Sequence, residues 1–118
     1  MGRHVLFLDL QEDADLIAAY EAHHAPGSVP EDILASIRAS GIEEMEIHRS
    51  GNRLVMIIEC SASFDAAAKA DADRCNPAVL AWEAAMDRYQ KPLPWAEPGE
   101  KWIAGNPIFT LPGRFATL

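Results

Sequence analysis

The apolar positions along the first third of the chain change from a strand pattern to a helical one. Val5 to Leu10 is apolar at nearly every position, which predicts a strand buried on both faces. From Asp13 to His24, apolar residues recur every three or four positions, as in a helix. A second helical segment follows, in which Ser28 and Glu31 fit a capping box and Gly41 suits the C-terminus.

A hairpin and a second helical region are predicted next. Ile42 to His48 alternates apolar and polar side chains, which predicts a half-exposed strand, and Leu54 to Ile58 is apolar throughout. Ser50-Gly51-Asn52 has the composition of the turn between them. An alanine run at 66–72 precedes Asn76-Pro77, where asparagine suits a helix N-cap and proline the first helical position.

These elements predict an α+β fold with the ferredoxin-like order β-α-β-β-α-β. Residues 1–118 are expected to form a single domain, with a Pro-rich C-terminal arm at about 91–107 and a last strand at Ile108–Leu111. Both crossovers belong on one face of the sheet, so the other apolar face needs a cover. We predict a homodimer with the sheets face to face; a monomer covered by the C-terminal arm is the alternative.

Charge and composition restrict the partners. Lys and Arg total 10 and Asp and Glu total 18, which gives a net charge of −8. This balance argues against nucleic acid and against an anionic membrane, because both require a basic surface. No apolar run approaches the ~20 residues of a membrane span, and the N-terminus lacks the pattern of a secretion signal. Cys60 and Cys75 fit no disulfide or metal pattern, which favours reduced thiols in the cytoplasm.

Tyr20 and His24 are the first candidates for chemistry. They are four residues apart near the end of the first predicted helix, so they project from the same face. Histidine is the side chain best suited to proton transfer near neutral pH, and tyrosine can bind a hydroxylated ligand. The alternative interpretation is a solvated histidine beside a core tyrosine. His23 points about 100° away around the helix and is expected to be exposed.

Three tryptophans are many for this length, and indole faces commonly line sugar sites. Core packing is the alternative for Trp82, whereas Trp95 and Trp102 lie in the arm and suit a pocket lid or a dimer contact. The sequence has no phosphate loop, dinucleotide fingerprint, metal-ligand motif or nucleophile motif. We therefore expect neither a metal nor a cofactor, which leaves proton transfer without a cofactor, or simple binding.

Several short motifs follow one another in a defined order along the chain up to Pro112. They are Tyr20 and His24 at the end of the first helix, Pro30-Glu31 and Gly41 at the ends of the next, Asn76-Pro77 before Trp82 and Met86, and Phe109-Thr110-Leu111-Pro112. This ordered set resembles the L-rhamnose mutarotases and their relatives acting on 6-deoxy sugars. The resemblance implies a dimeric α/β barrel of ferredoxin-like subunits and a cofactor-free reaction on a monosaccharide. It also implies that His24 is the acid/base and that Tyr20 lies in the sugar pocket.

The chain departs from the family at positions that the resemblance places around the sugar. Val29 stands where the family has Trp, Met45 aligns with a sugar-contacting Tyr, and a Trp-Trp pair becomes Trp82-Glu83. We therefore expect Tyr20, Met45, Trp82 and Glu83 to bind the substrate, with Glu83 holding sugar hydroxyls or assisting proton transfer. A surface helix glutamate is the alternative interpretation of Glu83.

The combined hypothesis is an isomerase that interconverts the α and β anomers of a 6-deoxy hexose by opening and closing the ring. His24 is expected to serve the ring oxygen, as acid on opening and base on closing. L-fucose, L-rhamnose and L-galactose all fit, and the added carboxylate of Glu83 favours L-fucose over L-rhamnose. The alternatives are a cofactor-free monooxygenase of the dimeric α/β-barrel type and a non-catalytic ligand-binding module.

Overall fold

The computed structural model describes residues 2–112 and follows the predicted element order. Each crossover contains two helices. In chain order the elements are β1 (Gly2–Leu10), α1 (Ala14–His23), α2 (Glu31–Ala39), β2 (Ile42–Ser50), β3 (Arg53–Cys60), α3 (Ala66–Arg74), α4 (Pro77–Asp87), β4 (Gln90–Lys91) and β5 (Ile103–Ala104). None of the helices within these residues is long and apolar enough to cross a membrane.

The sheet has the strand order of a ferredoxin-like fold. Its order is β2-β3-β1-β4, and the short β5 also pairs with β1. All pairings are antiparallel, and β1 is central, with β3 on one edge and the two short strands on the other. The predicted hairpin is present as β2 and β3. The predicted ferredoxin-like subunit is therefore confirmed.

The last strand predicted at Ile108–Leu111 is wrong. These residues form no strand, and Ile108 is 97% exposed. The outer edge of β1 is occupied by β4 at Asp9 and Leu10 and by β5 around Leu6 and Phe7. Hydrophobicity alone does not create a strand, because the backbone also needs a free edge to pair with. In the described part of the chain, β4 and β5 fill the C-terminal half of that edge, and residues 108–111 pair with no strand.

Of the two helix N-caps predicted from the sequence, the structure contains one and lacks the other. Asn76 caps α4, and its side chain accepts hydrogen bonds from two backbone N–H groups, with Pro77 in the first turn as predicted. The capping box predicted at Ser28 is wrong, because α2 is capped at Pro30 without a side-chain hydrogen bond. The Ser28 N–H instead donates to the Ala25 carbonyl in the turn that precedes the helix.

The two faces of the sheet differ in what they pack against. The covered face lies under the helices and carries the buried side chains of Leu8, Leu10, Leu54 and Ile58. The open face carries the alternate residues of the same strands and ends in the ion pairs Asp9–Arg53 and Arg3–Glu59. Its central side chains are half-buried and apolar: Val5, Phe7, Val55 and Ile57.

Candidate active site

A cavity of about 480 Å³ lies between the helices and the covered face. Its volume falls within the range of small-molecule sites, and its lining is mainly apolar with a few polar groups. The structure brings to this one cavity every residue that the sequence nominated for substrate chemistry: Tyr20, His24, Met45, Trp82 and Glu83. Val29, the third departure from the family pattern, lines it too.

His24 is held in one tautomer by its own helix. It forms the C-cap of α1, and its Nδ1 lies 2.8 Å from the carbonyl oxygen of Tyr20, one turn earlier. A carbonyl oxygen can only accept a hydrogen bond, so Nδ1 must carry a hydrogen and donate it. In the neutral ring the other nitrogen, Nε2, therefore carries a lone pair. This is the atom that can take up and release a proton.

Two aromatic side chains fix the plane of the His24 ring. The Tyr20 ring lies against it with 4.4 Å between centroids and an interplanar angle of 36°. The Trp82 indole meets it edge-on at 5.4 Å and 72°. Tyr20 is itself buried, at 4% exposure, in a core cluster with Leu10 and Met86. The imidazole is therefore positioned by rigid neighbours before any ligand binds.

His23 faces another part of the molecule, as the helical spacing predicts. It is exposed, and its Nε2 lies 3.1 Å from the Tyr89 hydroxyl, with 5.5 Å between the rings. It does not line the cavity. The adjacent histidines thus differ in environment although they are neighbours in sequence.

The phenol of Tyr20 is kept in its protonated form. Burial raises the pKa of Tyr20 above its ordinary value, and Glu83 adds to the rise, while the Gln90 amide and the Lys101 charge oppose it. The phenol therefore remains an O–H donor at neutral and mildly alkaline pH. Sequence reasoning did not nominate Gln90, whose buried Oε1 has no hydrogen-bond partner among residues 2–112. Gln90 also lines the cavity.

Glu83 is paired with a lysine from the C-terminal arm. Lys101 Nζ lies 2.8 Å from Glu83 Oε2 and 2.6 Å from Asp87 Oδ1. Partial burial lowers the pKa of Lys101, but the hydrogen bonds to Asp87 and Glu83 outweigh it, and the net shift is upward. Lys101 was not predicted, because no periodicity links an arm residue to a helix 18 positions earlier.

The two tryptophans of the arm lie in different places. Trp102 lines the cavity and packs against the core cluster around Tyr20. Trp95 is 59% exposed, and the Arg53 guanidinium lies over its ring, 5.1 Å from the centroid. Arg53 pairs with Asp9 at one end of the open face. The structure therefore assigns Trp102 to the pocket and Trp95 to the opposite side of the sheet.

Comparisons with known proteins agree with one another. The family model described as L-rhamnose mutarotase matches residues 3–111. A protein of Xanthomonas campestris pv. campestris named L-fucose mutarotase is 49% identical over 111 residues, which cover 94% of this chain and 89% of that protein.

Two solved structures share the fold at low sequence identity. The L-rhamnose mutarotase of Formosa agariphila matches with a TM-score of 0.65 and 18% identity, over 94% of this chain and 99% of that one. Tetracenomycin F2 cyclase of Streptomyces glaucescens matches with a TM-score of 0.56 and 20% identity, over 95% and 100%. These structures support the architecture, and the match to the family model together with the 49% identical relative shows that the chain belongs to the L-rhamnose mutarotase family.

Proposed function

We propose that this protein is a mutarotase that interconverts the α and β anomers of a 6-deoxy hexose, with L-fucose preferred to L-rhamnose. The observation that carries the proposal is the bond from His24 Nδ1 to the Tyr20 carbonyl, which leaves Nε2 as the proton-exchanging atom beside the cavity. The family supports the reaction type, and the relative named L-fucose mutarotase supports the sugar.

The reaction requires only proton movements. Protonated His24 gives its Nε2 proton to the ring oxygen while the proton of the C1 hydroxyl passes to water, and the bond between C1 and the ring oxygen breaks. The resulting aldehyde rotates about the C1–C2 bond. On closure, the hydroxyl of the opened chain attacks the other face of the aldehyde and forms the new bond to C1. Neutral Nε2 takes the proton of this hydroxyl back, and water protonates the former carbonyl oxygen. Nδ1 keeps its bond throughout, so a single atom of His24 changes its protonation state.

The other cavity residues suit the binding of a deoxy sugar. Trp82 and Trp102 offer indole surfaces for the apolar C–H face of the ring, and Met45 gives an apolar contact for its methyl group. Tyr20 donates a hydrogen bond through its protonated phenol. The Glu83 carboxylate accepts hydrogen bonds from sugar hydroxyls, and one relocated acceptor can separate sugars that differ in hydroxyl orientation.

The proposal includes a homodimer in the cytoplasm. The half-buried apolar side chains of the open face, Val5, Phe7, Val55 and Ile57, support the dimer, because such a patch favours an apolar partner surface. The cysteines support the location, since Cys60 and Cys75 are both free thiols.

Exchange spectroscopy by NMR tests the function. Anomer signals of equilibrated L-fucose, L-rhamnose and L-galactose are recorded with and without protein, and we expect selective exchange between the α and β signals, fastest for L-fucose. Heat-denatured protein serves as the control. Absence of exchange for all three sugars would contradict the proposal. Sugar binding without exchange would favour a non-catalytic module.

A further inference from the structure

We propose that Lys101 is a positioning residue that sets the sugar-binding wall of the site, and this inference rests on the proposed function. Lys101 comes from the arm between β4 and β5, yet its ammonium binds two carboxylates of α4, those of Glu83 and Asp87. Both distances, 2.8 and 2.6 Å, are those of charge-assisted hydrogen bonds. The arm is therefore tied to the helix that carries the cavity's tryptophan and glutamate.

The first effect of this tie is on the orientation of Glu83. Lys101 bonds to Oε2 of the carboxylate, which leaves Oε1 available to a ligand in the cavity. The Glu83 side chain is 52% exposed, so without the lysine its rotamer would be free in solvent. The lysine side chain is less exposed, at 32%, and is shared by two anions. It therefore holds the carboxylate in one direction at the cavity wall.

The second effect is on Trp102, the next residue in the chain. Trp102 lines the cavity, whereas Ile103 pairs with Phe7 at the edge of β1. The arm is thus anchored on one side of Trp102 by the ion pairs of Lys101 and on the other by the β5 ladder. Loss of the ion pairs would remove one of the two contacts that hold the segment around the indole.

Three variants separate this role from a general effect on folding. Lys101→Met removes the charge but keeps an apolar stem of similar length, and Lys101→Arg restores a cation that can bridge two carboxylates. Lys91→Met is the matched control, because Lys91 pairs with Glu12 at 3.5 Å on the surface, outside the cavity. Anomer exchange rates over a series of sugar concentrations give KM and kcat. The NMR signal of the Trp102 indole N–H, assigned with the Trp102→Phe variant, reports the position of this side chain independently of catalysis.

We expect Lys101→Met to raise KM for the preferred sugar about tenfold, the effect of weakening one charge-assisted hydrogen bond to substrate, and to change kcat much less. It should also shift the Trp102 indole signal, and Lys101→Arg should restore both readouts. Lys91→Met should resemble the wild type. Unchanged KM in Lys101→Met, or an unshifted indole signal, would overturn the inference. A wild-type protein that exchanges the anomers of no sugar would instead refute the proposed function. The indole signal would then still test whether Lys101 positions Trp102.

Discussion

The covered and open faces of the sheet are built from alternate residues of the same strands. On β3, Leu54 and Ile58 point to the covered face and Val55 and Ile57 to the open face, and all four are apolar. The covered face meets helices that bring Tyr20, His24 and Trp82 over it and leave a cavity between. Within residues 2–112 no helix packs on the open face. Its charged and polar side chains lie at the ends of β1 and β3 and along β2, where Glu46 and His48 stand beside Ile57 and Val55. We propose that this shared hydrophobicity serves substrate binding on one side and association on the other.

This contrast predicts different failures for the two faces. Changes around the cavity should alter catalysis in a protein that still assembles. Changes on the open face should alter assembly first.

The largest effect is expected for His24→Ala. Removing a positioned acid/base group should slow anomer exchange by about 10²–10⁴-fold, while the fold survives because the helix-end position tolerates alanine. His23→Ala is the control, since His23 bonds Tyr89 away from the cavity. NMR exchange rates and circular dichroism measure the two variants. Equal losses of activity in the two variants would show that His24 is not the acid/base residue.

The next effect is on assembly. Ile57→Glu places a carboxylate on the open face, opposite the like charge of Glu46 on β2. Desolvation of an unpaired ion costs several kcal/mol, so the dimer should weaken by about a hundredfold or more. Ile57→Val keeps the face apolar and is the control. Sedimentation velocity at micromolar concentration measures the oligomer. A wild type that is a stable, active monomer would remove the predicted dimer altogether.

A smaller effect concerns sugar preference. Glu83→Gln should narrow the ratio of exchange rates between L-fucose and L-rhamnose by up to about tenfold to a hundredfold, the range of one charge-assisted hydrogen bond. Asp87→Asn tests the same ion-pair cluster outside the cavity and should change the ratio less. If both sugars slow by the same factor in Glu83→Gln, the residue acts on the reaction or the fold instead of on specificity.

The smallest effect is a pH dependence of stability. Because the pKa of Tyr20 is raised in the folded protein, folding favours the protonated phenol. This contribution is fully present below the unfolded pKa of about 10 and is lost as the pH rises through the folded value. Urea unfolding across this alkaline range should therefore show a loss of at most about 1.4 kcal/mol per pH unit from this group. Tyr20→Phe should abolish that part of the slope; an unchanged slope would contradict it.

The sequence predicted the features that depend on short-range patterns. The spacing of Tyr20 and His24 places them on one helical face, and the apolar runs with the turn at 50–52 predict the hairpin. Features that depend on the path of the arm were missed. Lys101 reaches α4 through tertiary contact alone, and the apolar run 108–111 resembles a strand although it pairs with no strand of the described sheet.

On the proposed function, the arm between β4 and β5 makes the sugar-binding wall exchangeable. His24 owes its tautomer to a bond within a single helical turn, whereas Trp102 and Lys101 come from an irregular segment. Connecting segments tolerate insertion and replacement far better than helices and strands do. A different arm can therefore change which sugar the proposed site accepts while the bond that sets the tautomer of His24 stays in place.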